Sequence, residues 1–214
     1  MMNVIDEVRH SRENLAQVLK EHPGIRKIVE DLYPDKAHFI YELLQNAEDT
    51  GATEAYFALS KTNLIFEHNG RPFDRQDIKA ITDIGEGTKP SGSDKIGRFG
   101  IGFKAVFAYS ETPYVWSPTF SFKITDLVLP SALDPKPDLG NRTRFEFPFN
   151  NPKKSVDSAY IEVKAGLREL SETTLLFLSN LRSIRWHSDE TEPCEVRRVQ
   201  HSEHHVEVLR KIGG

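Results

Sequence analysis

The sequence has a single cysteine, Cys194, in 214 residues, which excludes an internal disulfide and every structural zinc pattern that needs two thiolates. It also lacks a long apolar run. Stretches such as 175–178 are far too short to span a bilayer, and residues 1–20 carry Asp6, Glu7, Arg9 and Arg12 where a secretory signal needs an apolar segment. A cytoplasmic location is therefore expected. Positive charge is not in excess either: 28 Lys and Arg against 32 Asp and Glu leave a net charge of −4, so no global basic field draws in nucleic acid or an anionic membrane. Repeats and low-complexity tracts are absent as well, so the order of elements has to carry the architecture. What is present, 38% hydrophobic and 28% charged residues, suits one sizeable domain with its own core, with or without a short appendage, and argues against disorder or a coiled coil.

Val4, Val8, Leu15, Val18 and Leu19 recur at helical spacing over residues 4–20, and His22-Pro23-Gly24 interrupts them. A second helix is predicted over 25–32, stopping at Tyr33-Pro34, and a third over 36–49, capped by Asp35 and closed at Thr50-Gly51. The short aromatic and aliphatic runs 55–59 and 64–68, joined by Lys61-Thr62-Asn63, read as a β-hairpin. There follow a short helix over 74–81, a polar glycine-rich stretch over 85–93 and a helix over 103–109. Strands are predicted at 114–116, 120–124 and 143–149, the last alternating Phe145, Phe147 and Phe149. A helix over 156–170 and strands at 183–186, 194–199 and 206–209 complete the pattern. Helices first and strands in hairpin-length pairs argue for an α+β layer sandwich and against a doubly wound parallel sheet. The expected division is a helical extension over 1–24, a core over 25–150, and a helix with strands over 151–214 that completes the domain. The ending Lys211-Ile212-Gly213-Gly214, straight after a strand pattern, is what a domain cut from a longer protein would give.

The third helix carries the first chemical signal. Glu42, Asn46 and Asp49 fall at i, i+4 and i+7 on one stripe, with Phe39, Ile40, Leu43, Leu44 and Ala47 toward the other side. Taken alone, such a stripe equally describes a solvated polar face. The second signal is Lys95-Ile96-Gly97-Arg98-Phe99-Gly100-Ile101-Gly102-Phe103-Lys104, whose G-x-x-G-x-G spacing precedes a helix. Glycines there let backbone N–H groups surround an anion, and a helix N-terminus adds favourable partial charge. The spacing is neither the dinucleotide fingerprint nor a Walker loop, and by itself it also fits an ordinary glycine-rich turn.

In this order, with His68-Asn69-Gly70 at a strand end between them, the two signals resemble the GHKL family of ATP-binding domains, in wording closest to its sacsin-like branch near the heat-shock chaperones. The resemblance spans residues 22–149. It implies a Bergerat fold: a two-layer α+β sandwich with a mixed, mostly antiparallel sheet and helices packed on one face. It further implies a domain that binds Mg-ATP, hydrolyses it slowly and acts as a conformational switch for downstream domains of a larger chaperone-like, defence or regulatory protein, with ATP-dependent dimerisation as a further expectation. Three other readings stand beside it: a module that takes up nucleotide without turnover, an interaction domain with an altered pocket, and a histidine kinase catalytic domain.

Position by position, Glu42 resembles the residue that activates the attacking water, Asn46 the magnesium ligand and Asp49 the acidic position one turn on. Gly70 resembles the turn glycine. Gly97, Arg98, Phe99, Gly100, Ile101, Gly102 and Phe103 resemble the phosphate loop, with Lys89 in a mobile lid over 81–93. Thr143 resembles the threonine that helps hold the adenine. An Asn carbonyl suits magnesium, which takes a few hard oxygen ligands beside the phosphates, and one carboxylate near the γ-phosphate is a sufficient base.

His68 departs from the family pattern, where an aspartate accepts the adenine amino proton. A neutral imidazole accepts through one nitrogen, and Asn69 is available to share the task. Protonation would turn that acceptor into a donor, so adenine affinity is expected to fall as pH drops through the histidine range. His201, His204 and His205 lack carboxylate or thiol partners at metal-binding spacing and read as strand surface.

Overall fold

Phe57, Phe66 and Phe145 lie side by side on three neighbouring strands, and the sheet is built outward from them. The computed structural model describes residues 3–30, 37–84, 101–202 and 205–213. Its helices are α1 (Val4–Glu21), α2 (Pro23–Glu30), α3 (Phe39–Asp49), α4 (Arg75–Ile81), α5 (Val156–Glu169) and α6 (Glu172–Leu176). Its strands are β1 (Glu54–Leu59), β2 (Asn63–His68), β3 (Tyr114–Trp116), β4 (Ser121–Thr125), β5 (Leu129–Ala132), β6 (Thr143–Pro148), β7 (Ser183–Ser188), β8 (Thr191–Ser202) and β9 (His205–Ile212). Among the described residues they form one sheet in the order β5-β4-β3-β6-β2-β1-β7-β8-β9. Every pairing is antiparallel except β1 with β7. The expected α+β architecture with a mixed, mostly antiparallel sheet is the one observed.

Period-two alternation gives the sheet two unlike faces. Phe57 pairs with Phe66 and Phe66 with Phe145 across the strands, their rings 4.6 and 5.8 Å apart, and all three are buried. Helices cover this face: Phe39 of α3 meets Phe147 edge-on at 6.1 Å, and Phe103 lies 6.2 Å from both Phe145 and Phe147. Each such ring removed from water contributes roughly 1.5–3 kcal/mol. The opposite face is polar and aromatic. Arg144 pairs with Glu67 and Arg142 with Glu54, Asn63 donates to Glu146, and Trp116 stacks on Tyr114.

Several local outcomes differ from the sequence expectations. Pro23 does not open a gap but begins α2 directly after the cap residue His22, because a proline's missing N–H and fixed φ suit a first helical position. Residues 101–108 wind as a 3-10 helix rather than the expected α-helix, and its three-residue period sets Lys104 near the Phe107 ring. Strand β5 and helix α6 were not anticipated. The β5 sequence Leu-Pro-Ser-Ala contains Pro130, and β5 tolerates it because it is an edge strand. There α1 covers it, with Arg9 donating to the Pro130 carbonyl and the Ser131 hydroxyl. Residues 31–36, including the expected cap Asp35, lie outside the described residues.

Helix α5 packs against the start of α3 at Gly166, where an added Cβ would lie 2.6 Å from the Ala37 Cβ and 3.0 Å from Ile40 Cδ1. Replacing a mid-helix glycine with alanine ordinarily stabilises by about 1 kcal/mol. Here overpacking, typically about 1–3 kcal/mol, outweighs that gain, so Gly166→Ala should lower the melting temperature. A rise in thermal unfolding temperature would contradict this packing.

Candidate functional site

Helix α3 presents its polar stripe to two glycines that are distant in sequence. Asn46 is buried, Glu42 is half-buried and Asp49, the last helical residue, is exposed. Opposite Glu42 stands Gly102, packed so closely that a Cβ there would lie 1.9 Å from Glu42 Oε2 and 2.3 Å from its Cδ. The stripe on α3 and the glycine-rich signal thus meet through a carboxylate resting on bare backbone. His38 Nε2 approaches the other oxygen, Glu42 Oε1, at 3.5 Å.

At the end of α3 the same device recurs. The Thr50 hydroxyl donates to the Ala47 carbonyl at 2.7 Å, Gly51 takes a positive φ of 73°, and the Arg71 N–H donates to the Thr50 carbonyl at 3.0 Å. Between them runs Gly70, where a Cβ would lie 1.9 Å from Thr50 Oγ1. The turn is held from outside by Arg71, which grips both oxygens of Asp77 at 2.6 and 2.9 Å. Asp77 in turn shares a capping box with Asp74 at the start of α4. Asn69 is engaged in this turn: its Oδ1 accepts from the Thr53 and Glu54 N–H groups and its Nδ2 donates to Thr53 Oγ1. One hydrogen on its Nδ2 remains beyond these bonds.

His68 closes β2 with no exposed surface. Its ring sits 5.8 Å from Phe66 and 6.1 Å from Phe145, and it pairs across the sheet with Thr143. Thr143 is equally buried and its hydroxyl donates to Ser117 Oγ at 3.3 Å. The Gly70 N–H donates to His68 Nδ1 at 3.1 Å, so in the neutral ring the hydrogen resides on Nε2. That atom is buried without a hydrogen-bond partner among the described residues, at a cost of about 1–3 kcal/mol. The sequence expectation of an accepting nitrogen is corrected: the acceptor is already used by Gly70, and the remaining nitrogen is a donor.

Burial, reinforced by the positive charge of Arg142, pulls the His68 imidazole down to about 4. The expected loss of affinity through the ordinary histidine range is corrected in the same way, since the ring stays neutral well below pH 6.

Lys104, two residues past Gly102, is wholly buried and donates to the Ile81 carbonyl at 2.7 Å and the Leu127 carbonyl at 2.6 Å. Burial lowers it to about 7, with Asp83 opposing. It ties α4 and the left-handed turn at Asp126 and Leu127 to the 3-10 helix. Thr50 and Lys104 escaped the sequence reading because their contacts join segments far apart in the chain, whereas His38 lies one turn before Glu42. Phe103 is a core residue, Ile101 opens the 3-10 helix, and Lys89, Gly97, Arg98, Phe99 and Gly100 lie outside the described residues. Two cavities, of 310 and 230 Å³, lie elsewhere, one beside the start of α1 and one beside Trp186 and Cys194.

Comparison with known proteins supports the sacsin-like part of the resemblance. Residues 58–133 match the family model described as Sacsin domain. The chain is 28% identical over 225 residues to Protein NO VEIN of Arabidopsis thaliana, an alignment covering 85% of this chain and 8% of that protein. It is 32% identical over 104 residues to Sacsin of Homo sapiens, covering 41% of this chain and 2% of that protein. A solved structure titled as the N-terminal domain of a DNA repair protein aligns with TM-score 0.47 and 13% identity, over 78% of this chain and 53% of that one. Residues 58–133 are thus similar to the Sacsin domain, and the chain spans less than a tenth of the length of these two curated relatives. No described helix is long and apolar enough to cross a membrane.

Because His68 has a lower pKa folded than unfolded, the unfolded chain takes up its proton first. Its contribution to stability is complete above pH 6.5 and is lost as pH falls from there toward 4. The loss should reach roughly 3 kcal/mol at full effect. His68→Asn should remove this part of the pH dependence. Parallel stability curves for parent and variant between pH 7.5 and 4.5, measured by urea unfolding, would show that His68 is not buried neutral.

Proposed function

We propose that this sacsin-like chain is a GHKL-type nucleotide-binding domain that takes Mg-ATP and turns it over slowly. The observation that carries the reading is the double contact of α3: Glu42 against Gly102 and Thr50 against Gly70, each too close for any side chain at the glycine. Glycine-only approach is what a backbone cradle for a ligand requires. The unpartnered donor on His68, next to the Gly70 contact, supports a ligand with polar atoms of its own.

The donor set fits the implied cofactor. Asn46 offers a neutral oxygen on a buried part of α3, and among the described residues no group of three or more His, Cys, Asp or Glu gathers to hold a metal. An ion bound through one or two protein oxygens together with substrate phosphates needs no such cluster. Bound in this way, magnesium would supply charge neutralisation at the phosphates. Glu42 is the group that would orient water, with His38 steadying its second oxygen. Coupling to further domains of a longer protein, and dimerisation on ATP binding, belong to the same proposal.

Calorimetry with ATP and ADP, with and without magnesium, tests it. Asn46→Ala should abolish the magnesium-dependent part of nucleotide affinity, whereas Glu42→Ala should retain binding and lose turnover by roughly a hundredfold or more. Unchanged Mg-ATP affinity in Asn46→Ala would remove Asn46 as a ligand. Binding with no measurable turnover in the parent would leave a nucleotide sensor rather than an ATPase.

A further inference from the structure

The two edges of the sheet end differently. At β5 the edge carries Pro130 and lies under α1. At β9 the edge carries no proline, keeps an unbroken register with β8 from Val206 to Ile212, and has no strand on its outer side among the described residues. An open edge of this kind is a template for pairing with another chain. Its apolar side chains are exposed as well: Val206 by 43%, Leu209 by 38% and Ile212 by 69%.

The hydrogen bonds of the hairpin fix how a further strand can add. The Gly213 N–H donates to the Pro193 carbonyl and the Arg198 N–H to the Arg182 carbonyl. Bonded and unbonded pairs alternate in an antiparallel ladder, so the odd-numbered residues of β9 spend their backbone groups on β8, and Val206, Val208, Arg210 and Ile212 turn theirs outward. A second β9 laid antiparallel must therefore match even residues with even ones. With Leu209 on the two-fold axis, Val206 meets Ile212, Val208 meets Arg210, and Glu207 meets Lys211 on both sides of the axis. Moving the axis to Val208 leaves Glu207 opposite Leu209, and moving it to Arg210 sets two arginines against each other. Glu207 holds His201 through Oε2, so Oε1 is the atom that would take the lysine.

We propose that β9 is an interface between two copies of this chain, joined edge to edge into one continuous sheet with Leu209 on the axis. Even-with-even pairing keeps the helices of both copies on the same side of that sheet. On this side Arg198 holds the end of α6 through the Leu175 and Leu178 carbonyls, and the exposed Leu176 and Phe177 extend the apolar surface beside the edge. The contact needs no nucleotide, which separates it from dimerisation on ATP binding.

Sedimentation equilibrium of the 214-residue chain without nucleotide should show a concentration-dependent dimer. Lys211→Glu should weaken it roughly tenfold, because attraction on both sides of the axis becomes repulsion, and adding Glu207→Lys to that variant should restore it. In a Cys194→Ser background, Leu209→Cys should form a disulfide dimer on oxidation, since an unbonded pair on the axis lies within disulfide reach, whereas Val208→Cys should not. A chain that sediments as a monomer at every concentration overturns the proposal, as does a dimer indifferent to Lys211→Glu or one that the charge swap fails to restore. Linkage of Val208→Cys in place of Leu209→Cys overturns the register on which it stands.

Discussion

Where α3 meets Gly70 and Gly102, nothing larger than hydrogen fits on either glycine. A Cβ at either position would lie 1.9 Å from an oxygen, of Thr50 or of Glu42, well inside any permissible contact. The rest of the structure can be read as what holds this approach in place. The phenylalanine face of the sheet fixes the height of α3 through Phe39 and Phe147. Arg71 and the α4 capping box hold the Gly70 turn, and Lys104 anchors the 3-10 helix that carries Gly102 to two backbone carbonyls. Even the later part of the chain is tied to α3, because the Glu48 carboxylate accepts from the N–H groups of Ser179, Asn180 and Leu181.

Three carboxylates on one helix consequently have three different occupations. Glu48 is structural, its oxygens saturated by backbone donors. Asp49 is exposed at the helix end. Glu42 rests on the backbone of Gly102, an arrangement that under the proposed function would bring a carboxylate and the glycine-rich segment to the same ligand. The buried, unmatched Nε2–H of His68 is costly in an apolar surrounding.

The fold was legible where periodicity is strong. The hairpin of β1 and β2 and the alternation of Phe145 and Phe147 follow from period two, and α3 from its apolar side and its Thr50-Gly51 end. Short elements with mixed signals were not legible: β5 carries a proline that only an edge position excuses, and the choice of 3-10 over α winding at 101–108 leaves no mark in composition. At the site, the residues on α3 and the glycines were visible as motifs, and their mutual contacts were not. The polarity of His68 could not be read from sequence at all, since it depends on where the Gly70 N–H points after the chain turns. That is a property of three-dimensional backbone, as is the engagement of Asn69 by Thr53 and Glu54.

The central claim is that α3, Gly70 and Gly102 form one ligand site. The most direct test is amide NMR of the chain titrated with Mg-ADP, following the Gly70 and Gly102 backbone N–H signals and the Asn46 side-chain amide. All three should shift together with a single dissociation constant, while reporters beside Trp186 and in α1 stay in place. Shifts confined to the cavity beside Trp186 and Cys194, or no shift at either glycine under saturating nucleotide, would contradict the account.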